Sequence, residues 1–200
     1  VTRNQAEGIA WFMKSAKRYD SSAQYELGKA YSSGEVVTRN EHEANDWFIK
    51  AAQGGNADAL NELAFRYSAG IGYIKDTEKA MAYYHSAAEK GNLSAQFNLG
   101  INHLGGKYGA EKSTDKAFSW FRRAAEKGHV RSQYWLGDCY LNGNGVAIDS
   151  AQAFKWFLKS AESDDMFAQL KVGVCYANGT GVNKDEVEAV KWYRLYARQG

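Results

Sequence analysis

The chain has 200 residues, of which 44% are apolar, and 25 basic against 23 acidic side chains give it a formal net charge of +2. This balance creates no large single-sign field to attract nucleic acid or an anionic membrane surface, so neither is predicted as a partner. No run of about 18 apolar residues is present, and no membrane-spanning helix is predicted.

One pattern recurs along the chain with steps of 36, 36, 37 and 36 residues between equivalent positions. A period in this range is typical of a solenoid, in which stacked helical hairpins bury their apolar faces against their neighbours. We therefore predict an all-α solenoid of antiparallel helix hairpins. The equivalent positions, which begin the first helix of each hairpin, are Ala23, Ala59, Ala95, Ser132 and Ala168.

We predict a single repeat array over residues 1–200. Residues 1–20 hold a partial repeat with only its second helix, and five full hairpins follow. The full hairpins occupy residues 21–56, 57–92, 93–129, 130–165 and 166–200.

The first helix of each hairpin, helix A, carries a recurrent small residue after a leucine or valine. Glycine inside a helix costs about 1 kcal/mol relative to alanine. Its recurrence therefore indicates close approach by the second helix, helix B. The small residues are Gly28, Ala64, Gly100, Gly137 and Gly173.

Glycines next predict the turn from helix A to helix B, because glycine adopts a positive φ without strain. Each of these turns has a glycine at the same first position, and the third turn has one extra residue in an irregular loop around residues 106–112. The turn glycines are Gly34, Gly70, Gly106, Gly143 and Gly179.

Helix B begins at a residue of N-capping type, whose side chain accepts from backbone N–H groups of the first turn. An aromatic pair follows, and a glycine suited to a left-handed helix end closes most units. Tyr19 and Asp164 replace that glycine, and we expect looser or differently shaped corners there. The predicted caps are Asn4, Asn40, Asp76, Ser113, Asp149 and Asp185, and the predicted closing glycines are Gly55, Gly91, Gly128 and Gly200.

The two cysteines occupy equivalent positions in adjacent repeats. Cys139 and Cys175 are 36 residues apart, and equivalent positions on stacked helices lie roughly 8–10 Å apart. A disulfide needs Cα atoms within about 7 Å. We expect free, buried thiols, which do not identify the cellular compartment.

The chain begins with Val1, and its first four residues are identical to residues 37–40 inside a repeat. We infer that it was cut from a longer protein whose N-terminus could have carried a signal peptide. The location is therefore left open, with a periplasmic or secreted location compatible with the sequence.

This frame resembles the Sel1-like repeat, a relative of the tetratricopeptide repeat. Residues 132–140 resemble the family's helix A, Gly143 to Asp149 its turn, and Ala153 to Ala161 its helix B. The resemblance covers the whole chain and implies a right-handed α-superhelix. It also implies protein-interaction or adaptor roles in bacteria, often in signalling, secretion, virulence or host contact.

In tetratricopeptide arrays helix A lines the concave face, and the resemblance implies the same placement here. From the second hairpin onward that face is poor in charge apart from Asp138, and contiguous exposed apolar surface usually marks a binding site. The alternative is that these side chains fill the seam between adjacent helices A. The candidate partner-binding residues are Tyr25, Phe65, Phe97, Ile101, Leu104, Tyr134, Trp135, Asp138 and Leu141.

Trp135 departs most clearly from the frame, because the other tryptophans all belong to the aromatic pair of helix B. The other repeats carry Glu26, Glu62, Asn98 and Lys171 at its position. Trp135 is therefore either an anchor for a partner or a contact of the irregular loop.

Catalytic and metal-binding patterns are weak. The four histidines lie at four different repeat positions, and no pair has metal-site spacing. Ser113 and Lys116 match the S-x-x-K spacing of serine β-lactamases and penicillin-binding proteins. Ser113 is also a predicted cap, and no partner motif accompanies it. We predict no enzyme activity and no cofactor.

Three functions remain open. The first is a module that binds a protein or peptide in its concave groove, with an adaptor, a host-factor binder or an immunity protein against a toxic effector as possible forms. The second is a scaffold that self-associates through its ends, near Trp11, Phe12, Trp192 and Tyr196. The third is an enzyme acting on cell-wall or β-lactam substrates.

Overall fold

A computed structural model describes the backbone of residues 3–199 and the side chains of residues 7–199. Over that range the chain forms eleven α-helices and no strand. Gly200, a predicted closing glycine, lies outside the described residues. The helices are α1 (Arg3–Ala16), α2 (Ser21–Ser33), α3 (Glu41–Gln53), α4 (Ala57–Ala69), α5 (Thr77–Glu89), α6 (Leu93–Gly105), α7 (Thr114–Ala125), α8 (Val130–Asn142), α9 (Ser150–Ala161), α10 (Met166–Asn178) and α11 (Glu186–Ala197).

The even-numbered helices are the predicted helices A, and the odd-numbered ones are the predicted helices B. Five of the predicted helix-B caps are confirmed, because each side chain accepts from the first turn: Asn40, Asp76, Ser113, Asp149 and Asp185. Asn4 is wrong as a cap, since α1 already begins at Arg3.

Helix A has caps of its own, which the sequence reasoning missed. The side chains of Asp20, Asn56, His129 and Asp165 each accept from backbone N–H groups at the start of the following helix. Each of these residues lies directly before the first residue of its helix, so capping chemistry applied to that position would have found them.

The turn and corner residues adopt the left-handed conformation. The turn glycines have φ between 62° and 75°, and Gly55, Gly91 and Gly128 have φ of 85°, 90° and 88°. The expectation of differently shaped corners at Tyr19 and Asp164 is wrong for the backbone. Their φ values are 66° and 62°, so both occupy the conformation that glycine holds elsewhere.

The small residues of helix A allow the predicted close approach of helix B. A Cβ on Gly137 would lie 2.8 Å from the Phe157 ring, and one on Gly28 would lie 2.5 Å from the Phe48 ring. A real Cβ does not tolerate such contacts without displacement of the ring. In the four hairpins that carry this glycine, the second aromatic residue of helix B therefore packs on it.

Two compact units divide the described chain, residues 1–95 and residues 96–200. In the first unit one apolar cluster contains Ala16, Ala23 and Leu27, with Trp47 packed against it. A second cluster contains Ala44, Phe48 and Leu63.

The second unit also contains two apolar clusters. Phe97, Phe121 and Leu136 form the core of one, and Phe157 and Val172 lie in the other. Cys139 and Cys175 are buried in them as free thiols, as predicted. Burial raises the pKa of Cys139 to about 12.

Candidate functional site

The first unit contains two of the predicted partner-binding residues. Tyr25 is partly buried, with its ring centroid 5.7 Å from that of Phe48. Burial is the main reason that the pKa of Tyr25 rises to about 12. Phe65 keeps 49% of its surface exposed. Of this pair, Phe65 offers the larger apolar surface to a ligand.

The second unit contains the other seven, and Phe97 differs from the expectation. Phe97 is only 6% exposed, because its ring packs on Phe121 and His129 at centroid distances of 6.0 and 5.3 Å. As folded it is a core residue with almost no surface for a ligand. The burial of Phe97 agrees with the alternative that such side chains fill the seam between adjacent helices A.

Four further residues of the second unit are partly buried. Ile101 and Leu104 pack against the cluster that contains Phe97 and Phe121. Leu141 packs against the cluster that contains Phe157, and Asp138 lies on the same helix as Leu141. Packing accounts for most of the apolar surface of Ile101, Leu104 and Leu141.

Trp135 and Tyr134 lie together at the surface of α8. The Trp135 ring stacks on Phe121 with centroids 5.7 Å apart and an interplanar angle of 18°. The Tyr134 ring meets it edge-on at 6.0 Å. Tyr134 in turn contacts Phe157 at 5.6 Å. Both rings are fixed on one side by the core and are partly exposed on the other.

A cavity of about 510 Å³ opens on that exposed side, between α8 and the start of α10. We call it the Trp135 cavity. Its size falls within the range of ligand pockets in proteins, roughly 300–1,000 Å³. Arg131, Tyr134, Trp135, Asp164, Asp165 and Phe167 line it, with Met166 and Gln199 at its edge.

Phe167 is the most exposed apolar residue that lines this cavity, at 60%. Sequence reasoning missed Phe167 and Arg131. Each is the second residue of its helix, at a position where the other repeats carry Ser22, Asp58 and Ser94. Comparing repeats at that position, as was done for Trp135, would have found both.

The charges around the Trp135 cavity are of mixed sign. The Arg131 guanidinium lies 4.7 Å from the centroid of the Phe97 ring. Asp165 caps α10, and its carboxylate accepts from the Ala168 N–H at 2.8 Å. Asp164 is exposed at the corner. The rim can therefore orient a polar group of either sign beside an apolar side chain.

A buried polar cluster in the first unit was not predicted. The Arg66 side chain is 2% exposed and donates to Glu41 at 2.7 Å and to Glu62 at 2.8 Å. It also donates to Asn45 at 3.0 Å and to the hydroxyl of Ser32. Because these acceptors belong to two adjacent hairpins of the protein itself, Arg66 stabilises their packing rather than presenting a charge to a ligand.

The residues that resembled catalytic motifs make structural contacts. The Ser113 hydroxyl accepts from the Lys116 N–H at 3.3 Å, and the Lys116 ammonium pairs with Glu111 at 2.8 Å. Ser113 thus caps α7, and Lys116 in its first turn pairs with a glutamate that precedes the helix. His129 caps α8. Within residues 7–199 no group of histidine, cysteine and carboxylate side chains could hold a metal ion.

The same described range contains no helix that is both long enough and apolar enough to span a membrane.

The Sel1 repeat family matches residues 1–20, 21–56, 57–92, 93–129, 130–165 and 167–200. Because these matches cover nearly the whole chain, the protein belongs to the Sel1 repeat family.

Solved structures share this fold. The protective antigen c5321 of uropathogenic Escherichia coli is 34% identical over 96% of this chain, with a TM-score of 0.90. This chain spans 41% of that antigen. A Sel1 repeat protein from Oxalobacter formigenes is 33% identical over 98% of this chain and 80% of its own, with a TM-score of 0.88.

The immunity protein PA5088 of Pseudomonas aeruginosa is more distant and shows the fold alone. It is 18% identical over 95% of this chain and 72% of its own, with a TM-score of 0.65. No protein with curated functional information matches the chain.

Proposed function

We propose that the chain is a protein-interaction module that holds an exposed apolar side chain of a protein partner in the Trp135 cavity. The observation that carries the proposal is the exposed Phe167 beside the fixed rings of Trp135 and Tyr134. Aromatic residues are the commonest anchors of binding energy at protein interfaces. The proposed site is narrower than the predicted groove, because every residue that lines the Trp135 cavity belongs to the second unit.

The packing of the cavity supports this role. Trp135 is held by Phe121, and Tyr134 is held by Phe157. A ligand would therefore meet rings that are already ordered, and little side-chain entropy would be lost on binding. Arg131 and Asp164 would orient polar groups of the partner at the rim.

Partner capture followed by an affinity measurement tests the proposal. Protein recovered from the native organism with wild-type bait is titrated against the wild type and against Phe167→Ala. We expect Phe167→Ala to weaken binding about tenfold or more, which is about 1.4 kcal/mol.

Ile148→Ala is the matched control, because Ile148 is also an exposed apolar residue of the second unit, at 68%. Ile148 does not line the Trp135 cavity, so the Ile148→Ala variant should bind the captured partner as tightly as the wild type does. Equal affinity of Phe167→Ala and Ile148→Ala for the captured partner would contradict the proposed site.

Self-association is a second candidate function, favoured by the exposed aromatic surface of α1. Trp11 is 70% exposed and Phe12 is 39% exposed. The equivalent Trp47 instead packs on the cluster of Ala16, Ala23 and Leu27 of the preceding helices. A second molecule of this chain could cover Trp11 in the way that the cluster of Ala16, Ala23 and Leu27 covers Trp47.

The narrower roles stay predictions: virulence, signalling or effector immunity. The absence of enzyme activity also stays a prediction, supported by the structural contacts of Ser113 and Lys116.

A further inference from the structure

A second cavity lies in the first unit, at the corner between α1 and α2. Its volume is about 460 Å³, and we call it the Tyr19 cavity. Its lining includes two aromatic residues, two lysines and two glutamines: Tyr19, Trp47, Lys17, Lys50, Gln24 and Gln53. Nothing in the role proposed for the Trp135 cavity uses these residues.

Tyr19 has an unfavourable backbone conformation, and burial of its side chain does not offset the cost. Its φ is 66°, in the left-handed region, where Gly55, Gly91 and Gly128 occupy the equivalent corners. The left-handed conformation strains any residue with a Cβ. Tyr19 is nevertheless 88% exposed. A strained, exposed aromatic residue beside a cavity points to a role in binding.

The charge of the Tyr19 cavity is positive. Lys17 and Lys50 are its only charged lining residues, and neither forms an ion pair with any residue that the structure describes. The Lys50 ammonium lies 4.2 Å from the centroid of the Trp47 ring. The cavity therefore places two ammonium groups next to an aromatic surface.

Two sets of acceptors near the end of α1 have hydrogen-bond donors other than the Lys17 and Lys50 ammonium groups. The Asp20 carboxylate accepts from the N–H groups of Ser22 and Ala23 and from the Ser15 hydroxyl. The end of α1 is closed by backbone N–H groups, including those of Lys17 and Tyr19, which donate to its last carbonyls. Neither group neutralises the lysine side chains directly.

We infer that the Tyr19 cavity binds a peptide segment of a partner protein in which a carboxylate side chain neighbours an apolar one. The carboxylate pairs with Lys17 and Lys50, and the apolar side chain packs on Trp47 and Tyr19. Opposite charge at the rim and apolar contact at the centre are the usual arrangement of a protein interface.

Nuclear magnetic resonance of the full chain tests this assignment, with the indole N–H signal of Trp47 as the reporter. The probe is the capped dipeptide N-acetyl-leucyl-glutamyl amide, and its uncharged match is N-acetyl-leucyl-glutaminyl amide. We expect a saturable shift with the acidic probe and about threefold to fivefold weaker binding of the uncharged one. A shift that does not saturate, or equal binding of both probes, overturns the inference.

Lysine variants test the charge contribution. Lys17→Gln and Lys50→Gln should each weaken binding of the acidic probe about threefold and leave binding of the uncharged probe unchanged. Lys14→Gln is the control, because Lys14 lies on α1 over Trp11 and does not line the cavity. Binding that is insensitive to both cavity lysines overturns the site.

Tyr19→Gly separates a binding role from a structural one. Glycine relieves the strain at this corner, so the midpoint of thermal unfolding should rise while the acidic probe binds more weakly. Tyr108→Gly relieves a similar strain in the second unit, where the φ of Tyr108 is 55°, and should leave probe binding unchanged because Tyr108 lines neither cavity. Unchanged binding in Tyr19→Gly overturns the assignment of Tyr19.

Discussion

At the scale of single residues, Arg66 connects three helices through one buried guanidinium. Its acceptors are Ser32 in α2, Glu41 and Asn45 in α3, and Glu62 in its own helix. Removing one partner of a buried ion pair leaves an uncompensated charge. The stability of this unit should therefore depend on the protonation state of Glu41.

Glu41 has an altered pKa for identifiable reasons. Burial would raise the pKa of its carboxyl, but hydrogen bonds from Arg66 and Arg39 outweigh burial and hold the pKa below its ordinary value. The folded state therefore binds this proton less readily than the unfolded state does. The resulting stability is present above the ordinary pKa of glutamate and is lost as the pH falls through the lowered one.

We predict that Glu41→Gln lowers the midpoint of thermal unfolding at pH 7, and that the difference from wild type shrinks as the pH falls from about 5 to about 3. Calorimetry over this pH range measures both midpoints. Glu126→Gln is the control, because Glu126 pairs with Arg122 in an exposed position. A difference for Glu41→Gln that is constant with pH would contradict the proposed linkage.

Comparison of the repeats singles out Arg66 but cannot predict the acceptors of its side chain. The other repeats carry Ala30, Asn102, Cys139 and Cys175 at its position, so an arginine there departs from the frame. Its main acceptor, Glu41, is 25 residues away, and no local pattern indicates that contact. Trp135 was found because equivalent residues are polar, whereas its stacking on Phe121 required the folded packing.

At the scale of elements, helix A and helix B approach through glycine. The sequence predicted this approach from the recurrence of glycine within a helix, and the structure confirms it at Gly137 and Gly28. The prediction succeeded because a repeated local cost implies a repeated packing benefit. The identity of the ring that fills the space could not be read from spacing alone.

Gly137→Ala should destabilise the protein by about 1–3 kcal/mol, because the new Cβ overlaps the Phe157 ring and displaces it. Gly8→Ala is the matched control in a helix. A Cβ on Gly8 meets nothing within 4 Å, so this variant should gain up to about 1 kcal/mol from helix propensity. Denaturant unfolding followed by circular dichroism measures both changes, and wild-type stability of Gly137→Ala would disprove the close-contact argument.

At the scale of the whole molecule, the repeat period predicted the helices and their order, and the resemblance of the frame residues to the Sel1-like repeat indicated the family. The helices and their order follow from apolar periodicity and turn chemistry, which are local in sequence. The single continuous array stays a prediction. The two cavities could not be predicted, because each is bounded by side chains from separate helices. The substitutions at Tyr19 and Asp164 mark both cavities, but their shared backbone conformation was visible only in the fold.

Self-association is the remaining property at this scale, and two apolar surfaces are available for it. On α1, Trp11 is 70% exposed, and on α11, Val187 and Val190 are 68% and 47% exposed. Contact between two different surfaces of one chain is heterologous, and it extends to longer oligomers unless the ring closes. We therefore expect the mass of the wild type to rise with concentration in sedimentation experiments.

Variants of the α1 and α11 surfaces test whether the α1 surface of one molecule contacts the α11 surface of another. Trp11→Glu and Val190→Glu should each be monomeric alone, because each has lost one of two complementary surfaces. Their equimolar mixture should form dimers and nothing larger, because one intact surface remains on each chain and the two can pair once. Ile74→Glu, at a residue of the first unit that is 92% exposed, should associate like the wild type. A wild type that stays monomeric at the highest concentration, or a mixture that stays monomeric, would remove self-association from the candidate functions and leave partner binding through the cavities.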